Sequence, residues 1–321
     1  MSDKIIFVFP GQGAQYVGMG ADLFRDFVAA RYIFEQVSDI AKRDMVKICF
    51  SGGQAELNMP ENTSLATFAH SVAIANIIES EFGMPLWTIG YAMAGHSMGQ
   101  YSALNCVGSM KMDDAVHMLA ARATYMQNVA GAGGMAAIVG LSKDEIDQCM
   151  VDAAGVGYAQ ISNHNARDQF VISGHNEALD AIVASAQMRG ARIAKRLNVS
   201  VPAHCALMSN AEKLLRARME QIHFEAPQTN WYSNQTAQFM SNPRDVRDAL
   251  CNQMTHGVRW MEIMESFPTY NITRAYELGP GRTLTGLIKR ANVGCAVRHT
   301  DVSENVQVML REIGDIMTKE H

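Results

Sequence analysis

Three predicted strands along the chain each end in a glycine-rich turn. Residues 5–9 are continuously apolar and precede the turn Pro10-Gly11-Gln12-Gly13-Ala14-Gln15. A second strand is predicted over residues 86–94, and a third over residues 273–278, before Gly279-Pro280-Gly281. An unbroken apolar run such as residues 5–9 is typical of a strand that is buried on both faces of a parallel sheet.

Longer segments carry apolar residues at helical spacing. Residues from about 20 to 82 are predicted to be mostly helical, with a regular apolar pattern over residues 64–79. Further helices and one short strand complete the same alternation, with helices at 100–104, 113–126, 207–221, 243–254 and 283–290 and a strand at 230–234. Alternating strands and helices of this kind predict an α/β fold with a mostly parallel sheet.

The middle of the chain has a different pattern. Short alternating strands are predicted at 135–139, 158–162, 169–173 and 191–197, with helices after Ser142 and over 176–189. The order βαββαβ is that of a ferredoxin-like unit. We therefore expect a large domain, residues 1–129 and 198–321, that carries a ferredoxin-like insert, residues 130–197.

Composition narrows the function classes. The 321 residues are 48% hydrophobic and 18% charged, which suits one or two globular domains, and the net charge of -5 disfavours nucleic acid as a partner. The start of the chain does not resemble a signal peptide, and no apolar stretch of about 18 residues predicts a membrane span. Six widely spaced cysteines favour reduced thiols in a cytoplasmic protein over a disulfide framework or a zinc site.

A Gly-x-Ser-x-Gly pattern, Gly95-His96-Ser97-Met98-Gly99, lies between the second strand and a predicted helix. A sharp strand-to-helix turn strains its central residue and exposes the hydroxyl, while the two glycines let neighbouring backbone pass close by. Ser97 is therefore a candidate nucleophile. A glycine-rich turn that holds an ordinary serine gives the same pattern, and stays open as an alternative.

A nucleophilic serine needs a base, and histidine suits that task at neutral pH. His204 is the first candidate because a proline two residues earlier orders its loop. His256 and His299 are rivals, and Asp301 offers His299 an acidic partner. His96 is a poor candidate, since side chains next to each other at a turn point apart.

Two further features are ambiguous from the residues alone. Arg122 lies at the edge of the apolar stripe of its helix. There it is either a half-buried partner in an ion pair within the protein or a guanidinium that binds the carboxylate of a ligand. The residue pattern by itself favours the structural role. The turn at residues 10–15 is either structural or a source of backbone N–H groups for an oxyanion.

Taken together, these motifs resemble the malonyl-CoA:acyl-carrier-protein transacylase family, the stand-alone acyltransferases of bacterial type II fatty-acid synthesis. The resemblance runs nearly end to end. It rests on Gly11-Gln12-Gly13-Ala14-Gln15, Gly95-His96-Ser97-Met98-Gly99, Arg122, Val201-Pro202-Ala203-His204-Cys205-Ala206-Leu207-Met208 and Gly279-Pro280-Gly281.

The resemblance implies a role for each matching residue. Ser97 would form a malonyl ester, and His204 would act as general base and then as general acid. The backbone N–H groups of Gln12 and Met98 would form the oxyanion hole. Arg122 would bind the free carboxylate of the malonyl group, which reverses the preference drawn from the residues alone.

The family uses a backbone carbonyl in place of a triad aspartate. The matching position is Gln253, so Asp301 would not be the acidic partner. Gln100 stands where the family commonly has a glutamate, and Ala203 stands where it often has a serine. Neither position carries the chemistry, so these departures put fine selectivity in doubt rather than activity. The family fold is an α/β-hydrolase-like large domain with a ferredoxin-like insert, in agreement with the predicted strand order.

The implied activity is ping-pong transfer of malonyl from malonyl-CoA to the phosphopantetheine thiol of acyl carrier protein, by a cytoplasmic monomer without cofactor or metal. Acyl carrier proteins are acidic, so docking needs local positive charge, for which the candidates are Arg189, Arg192, Lys195, Arg196, Lys289 and Arg290. Three alternatives stay open: a trans-acting acyltransferase of a polyketide synthase, a serine hydrolase or thioesterase, and a non-catalytic binding module.

Overall fold

A computed structural model describes residues 3–319 and contains two separate β-sheets. Residues 1, 2, 320 and 321, at the ends of the predicted large domain, lie outside the described residues. The fold is mixed α/β, with one mostly parallel sheet and one antiparallel sheet.

The first sheet has six strands in the order β10-β9-β1-β2-β7-β8. Its neighbours pair in parallel except β7 and β8, which are antiparallel. The strands are β1 Lys4–Phe9, β2 Ala92–Gly95, β7 Asn230–Tyr232, β8 Phe239–Met240, β9 Ile272–Glu277 and β10 Ala296–His299. The central strand β1 lies between β2 and β9, so the turns that follow these three strands meet at one edge of the sheet.

Helices cover both faces of this sheet. Those before the second sheet are α1 Ala21–Asp26, α2 Val28–Ala41, α3 Met45–Phe50, α4 Gln54–Leu57, α5 Pro60–Phe82, α6 Leu86–Ile89, α7 Gly99–Cys106 and α8 Met112–Gln127. Those after it are α11 Ser209–Met219, α12 Pro243–Asn252, α13 Trp260–Glu265, α14 Thr283–Ala291 and α15 Ser303–Lys319.

The side chains of β1 alternate between two hydrophobic cores. Phe7 and Phe9 join the core that contains α5, α7 and α8, whereas Ile6 and Val8 join the core that contains α13 and α14. Because successive side chains of a strand point to opposite faces, a continuous apolar run is what a sheet covered on both faces requires.

The strand expected over residues 86–94 is shorter than predicted. Residues 86–89 form the helical turn α6, closed by a hydrogen bond from Gly90 N to Leu86 O, and only β2 pairs with β1. A short apolar run does not distinguish a strand from a buried helical turn, and here the extended Pro85 precedes such a turn.

The second sheet is antiparallel throughout, with the strand order β4-β5-β3-β6. Its elements are β3 Gly134–Val139, α9 Lys143–Asp152, β4 Ala159–Ala166, β5 Gln169–Gly174, α10 Asn176–Met188 and β6 Ile193–Arg196. The two helices and the sheet share a separate hydrophobic core. Ser142 and Glu145 form the capping box that begins α9, as the sequence predicts.

Strand β4 extends into the segment predicted as a connection. It continues to Ala166 with irregular register on both sides of Asn163. Backbone hydrogen bonds from His164 N to Val258 O and from Val258 N to Ser162 O, both 2.9 Å, tie this strand to the loop before α13. The antiparallel sheet is thereby joined to the loop that follows α12.

Several elements at the end of the chain carry no prediction from the sequence, namely β8, β10, α13 and α15. Among the described helices, none combines the length and the apolar character needed to cross a membrane. Within residues 3–319, no group of three His, Cys, Asp or Glu side chains is arranged to hold a metal ion.

Candidate active site

Ser97 occupies a tight turn between β2 and α7. Its φ of +52° lies in the left-handed region, which is strained for a residue with a side chain. A Cβ on Gly95 would lie 2.0 Å from the carbonyl carbon of Gly99, and one on Gly99 would lie 2.2 Å from Phe9 O. Both glycines are therefore needed for the turn to form against β1.

The hydroxyl of Ser97 lies next to His204, as the sequence analysis expected for a nucleophile and its base. Ser97 Oγ and His204 Nε2 are 2.7 Å apart, and His204 Nδ1 is 2.7 Å from the main-chain oxygen of Gln253. Since a carbonyl accepts, Nδ1 carries the proton and donates to Gln253 O. Nε2 is then left with a lone pair that accepts from the serine hydroxyl.

Burial keeps His204 uncharged. The residue is 4% exposed, and burial together with the nearby Arg122 guanidinium lowers the pKa of its imidazole to about 3. A neutral imidazole at pH 7 can accept the serine proton, which is the protonation state that a general base needs.

Arg122 lies on α8, is 5% exposed and reaches the same serine. Its Nη2 donates to Ser97 Oγ across 3.3 Å. Within residues 3–319, no carboxylate forms a salt bridge with this guanidinium. A buried arginine with donors to spare beside a nucleophile is suited to binding an anionic group of a ligand.

The turn after β1 lies against the serine turn. A Cβ on Gly11 would be 2.6 Å from His96 O, and His96 N donates to Phe9 O across 2.9 Å. In the described part of the chain, the N–H groups of Gln12 and Met98 have no hydrogen-bond acceptor. Neither N–H group is therefore occupied by an acceptor from residues 3–319.

The rival histidines lie elsewhere. His256 is exposed, with Nδ1 2.9 Å from Asn252 O. His299 ends β10, where its Nε2 is 3.6 Å from Asp301. His96 is turned toward the antiparallel sheet, with Nε2 2.8 Å from Asn165 Oδ1. The sequence-based choice of His204 as the neighbour of Ser97 agrees with this geometry.

A buried group of amides under the serine was missed by the sequence analysis. Asn234 Oδ1 accepts from Ser97 N across 2.8 Å, and Asn234 Nδ2 donates to Gly95 O across 2.7 Å. The side-chain Nε2 of Gln253 donates to Ser97 O across 3.0 Å. The available signal was the position of Asn234 at the end of a predicted strand, where polar residues of α/β sheets meet ligands and turns.

Comparison with known families places the chain among acyltransferases. The acyl transferase domain family matches residues 6–277. A malonyl CoA-acyl carrier protein transacylase of Escherichia coli (strain K12) is 37% identical over 289 residues, which cover 89% of this chain and 92% of that protein. One of Bacillus subtilis (strain 168) is 32% identical over 292 residues, with 90% of each protein covered.

Solved structures give the same result. The malonyl CoA-acyl carrier protein transacylase of Coxiella burnetii superimposes with a TM-score of 0.92 at 35% identity, covering 98% of both chains. A malonyl-transacylase in complex with a type II PKS acyl-carrier protein has a TM-score of 0.92 at 34% identity, covering 97% of this chain and all of that chain. The chain therefore belongs to the acyl transferase domain family and, within it, to the malonyl CoA-acyl carrier protein transacylases.

Proposed function

We propose that this protein transfers a malonyl group from malonyl-CoA to the phosphopantetheine thiol of acyl carrier protein, as the names of its relatives indicate. One observation carries the proposal. Ser97 Oγ is hydrogen-bonded to a neutral, buried histidine and also to a buried arginine that has no carboxylate partner among the described residues. That combination suits an acyl group that ends in a free carboxylate.

The first half-reaction forms an ester on Ser97. Oγ attacks the thioester carbonyl while His204 Nε2 takes the hydroxyl proton, and the N–H groups of Gln12 and Met98 bind the oxyanion. The C–S bond then breaks and the CoA sulfur takes the proton from His204. The second half-reaction repeats these steps in reverse, with the carrier thiol as the attacking group.

Gln253 O holds the histidine in the tautomer that these proton transfers require. Each step moves a proton or an acyl group between the substrates and named side chains. The proposed reaction therefore calls for no cofactor.

Arg122 supplies the selectivity. Its guanidinium can bind the malonyl carboxylate through two parallel N–H···O bonds. A neutral acyl group in the same place would leave a buried charge unpaired, which is costly in free energy.

The finer architecture is part of the proposal. We infer an α/β-hydrolase-like large domain, residues 1–129 and 198–321, with a ferredoxin-like insert, residues 130–197. The antiparallel sheet order β4-β5-β3-β6 and its two helices support the insert. The six cysteines are free thiols, which supports a reducing compartment such as the cytoplasm, and the protein is proposed to act there as a monomer.

We infer that the acidic carrier protein docks where the two sheets approach each other. Arg192 on the antiparallel unit and Arg290 on α14 line one groove, together with Asp168 and Gln169. Arg189, Arg192 and Arg196 pair with nearby aspartates, and Arg290 donates to Gln169. Lys195 and Lys289 are exposed, and within residues 3–319 neither forms a salt bridge, so both are available to a partner.

The decisive experiment uses malonyl-CoA labelled in the malonyl group, with and without holo-acyl carrier protein. We expect label on the protein in the absence of carrier and on the carrier in its presence, and neither in Ser97→Ala. Release of free malonate at the same rate with and without carrier would instead indicate a hydrolase. Absence of covalent label would indicate a binding module.

A second carrier is supported by the matched complex with a type II PKS acyl-carrier protein. The same assay with a fatty-acid carrier and a polyketide carrier compares the two pathways. A higher kcat/KM for the polyketide carrier would assign the chain to polyketide synthesis, and a higher value for the other would assign it to fatty-acid synthesis.

A further inference from the structure

We propose that Asn234 is a positioning residue for the transfer reaction, and that it acts with the side chains of Gln253 and Gln100 as one amide network. The inference rests on the proposed function, because it concerns how Ser97 and His204 are held for that chemistry. All three amide residues are buried, with exposures of 0%, 1% and 0% respectively. None of them touches a substrate atom in the proposed mechanism through its side chain.

Asn234 fixes the backbone on both sides of the strained serine. It follows β7, which pairs in parallel with β2. Its side chain therefore contacts the serine turn at the carboxyl ends of these two strands. One amide accepts from Ser97 N and donates to Gly95 O, and both bonds are shorter than 2.9 Å. A backbone with positive φ persists only when its surroundings over-determine it, and this pair of bonds provides that restraint.

The same bond affects the oxyanion hole. Because Asn234 Oδ1 engages the N–H of Ser97, that donor is withheld from the oxyanion, while the N–H of Met98 has no acceptor among the described residues. The Met98 N–H belongs to the peptide that joins Ser97 to Met98, so the backbone conformation of Ser97 sets the direction in which this N–H points. Asn234 is thus expected to align a catalytic donor that it does not touch.

Gln253 connects the nucleophile to the base. Its main-chain oxygen accepts from His204 Nδ1 across 2.7 Å, and its side-chain Nε2 lies 3.0 Å from Ser97 O and 3.2 Å from Asn234 Oδ1. One residue therefore holds both partners of the 2.7 Å contact between Ser97 Oγ and His204 Nε2.

Gln100 completes the network. Its Nε2 donates to Tyr232 O across 2.8 Å, and its Oε1 accepts from Gln253 Nε2 across 2.7 Å. An uncharged amide provides the donor and the acceptor at once, which a carboxylate at this position does only when protonated. The network thus links α7 and β7 to the residue that orients His204.

The test measures acylation of Ser97 before any carrier protein is added. We expect Asn234→Ala to slow the burst of malonylation by about 10- to 100-fold, since sub-ångström misplacement of reacting groups has effects of that size. KM for malonyl-CoA should stay within about twofold, because Asn234 makes no hydrogen bond to Arg122, the group proposed to bind the malonyl carboxylate. Inactivation by phenylmethylsulfonyl fluoride, which also requires an activated serine, should slow in parallel.

Asn62→Ala is the matched control. Asn62 is 2% exposed, and it donates to Glu56 O and accepts from Arg43, so its loss also removes two bonds of a buried asparagine. It should lower the thermal midpoint without changing the burst rate of the folded fraction. If Asn234→Ala behaves like this control, with a lower midpoint and an unchanged burst rate, the positioning role is wrong.

Gln253→Ala provides a second route to the same answer. It keeps the main-chain bond to His204 and the two bonds from Asn234 to the serine turn, and it removes only the side-chain bonds of Gln253. It can therefore test the network if Asn234→Ala does not yield folded protein. We expect a slowed burst in Gln253→Ala and, in the double variant, a loss smaller than the product of the two single losses. Independent, multiplicative effects would overturn the network.

These outcomes are separate from the proposed function. If the unmodified protein acquires no label from malonyl-CoA, the malonyl-transfer proposal fails. Sulfonyl fluoride inactivation of the variants then still decides whether Asn234 positions the serine.

Discussion

At the scale of single residues, the site combines a buried neutral histidine, His204, with a buried arginine, Arg122, that forms no salt bridge within residues 3–319. His204 is neutral because burial and Arg122 both lower the pKa of its imidazole, to about 3. Arg122 is itself buried beside Ser97. The proposed role of Arg122 therefore leads to two predictions, one for acyl selectivity and one for pH dependence.

Arg122→Ala should reduce kcat/KM for malonyl-CoA by about 10²-fold, because two charge-assisted hydrogen bonds of about 1.5 kcal/mol or more each are lost. Acetyl-CoA, which has no carboxylate to bind, should improve relative to malonyl-CoA. Competition between the two thioesters, followed by mass analysis of the acylated protein, measures the preference. An unchanged malonyl preference would exclude the carboxylate role.

Arg122→Gln should also raise the pKa of His204, since a positive charge beside an imidazole disfavours its protonated form. The acid limb of the rate of sulfonyl fluoride inactivation of Ser97 therefore moves to higher pH. Arg122→Lys keeps the charge and should leave the limb near its original position. Identical limbs in the two variants would show that the arginine charge does not act on the histidine.

At the scale of elements, the turns after β1 and β2 fit together because glycine leaves room for backbone. Gly99 begins α7 directly against Phe9 O, whereas Gly286, in the interior of α14, has open space where a Cβ would stand. The two glycines therefore have opposite expected responses to a methyl group.

Gly99→Ala should lower the free energy of unfolding by about 1–3 kcal/mol, the usual effect of overpacking, and should also reduce Ser97 acylation. Gly286→Ala should raise the unfolding free energy by up to about 1 kcal/mol, because alanine is the better helix former. Urea unfolding of both variants measures this difference. Equal effects of the two substitutions would contradict the proposed steric constraint.

The predicted elements agree with the structure where the chain pattern is long or strongly periodic. Strand β1 and helix α5 follow directly from the positions of their apolar residues. The strand expected over residues 86–94 is partly a helical turn, and β4 continues into a segment of polar residues. In both cases pairing with a neighbouring strand decides the conformation, and periodicity within the segment does not report that pairing.

At the scale of the whole molecule, charged residues from both sheet units face one groove. Replacing Arg192 and Lys195 together by glutamate should raise KM for acyl carrier protein by about tenfold, the effect of losing roughly 1.4 kcal/mol. Malonylation of Ser97 by malonyl-CoA should be unchanged. Arg25→Glu, on α1, serves as the control for a general change of net charge. A KM unchanged in the double variant would remove β6 from the interface.

The pH dependence of the free energy of unfolding should also depend on a histidine outside the active site. His70 on α5 is 0% exposed, and burial lowers the pKa of its imidazole to about 4. The unfolded chain binds a proton near pH 6.5, so the contribution of neutral His70 is complete above that pH and is lost as pH falls toward 4. Stability should therefore decrease on acidification in this window.

Urea unfolding of the unmodified protein and of His70→Leu at pH 7 and pH 5 measures the contribution. Between pH 7 and pH 5, the free energy of unfolding should fall by about 2 kcal/mol more in the unmodified protein than in His70→Leu. The figure follows because pH 5 lies about 1.5 units below the pKa of histidine in the unfolded chain, and each unit corresponds to about 1.4 kcal/mol. His204 and His96 are also buried, but they are present in both proteins and cancel in the comparison. Equal losses would show that burial does not lower the pKa of His70 in the folded state.

The sequence by itself determined the features that depend on neighbours in the chain. Ser97 and the two glycines of the Gly-x-Ser-x-Gly pattern lie within a few residues of a predicted strand, and Pro202 lies two residues before His204. Such local patterns constrain backbone conformation through sterics alone, so they indicate where a nucleophile and a base can lie. They left the role of Arg122 open, and carboxylate binding by this residue is a prediction that comes from the family resemblance.

Only the tertiary structure decided how these parts meet. Asn234 contacts the serine turn across 137 residues of chain, and the Gln253 side chain contacts it across 156. Neither amide has a local pattern that distinguishes it from other polar residues. Their function arises because parallel strands bring their carboxyl ends together at one edge of a sheet, which makes distant residues neighbours.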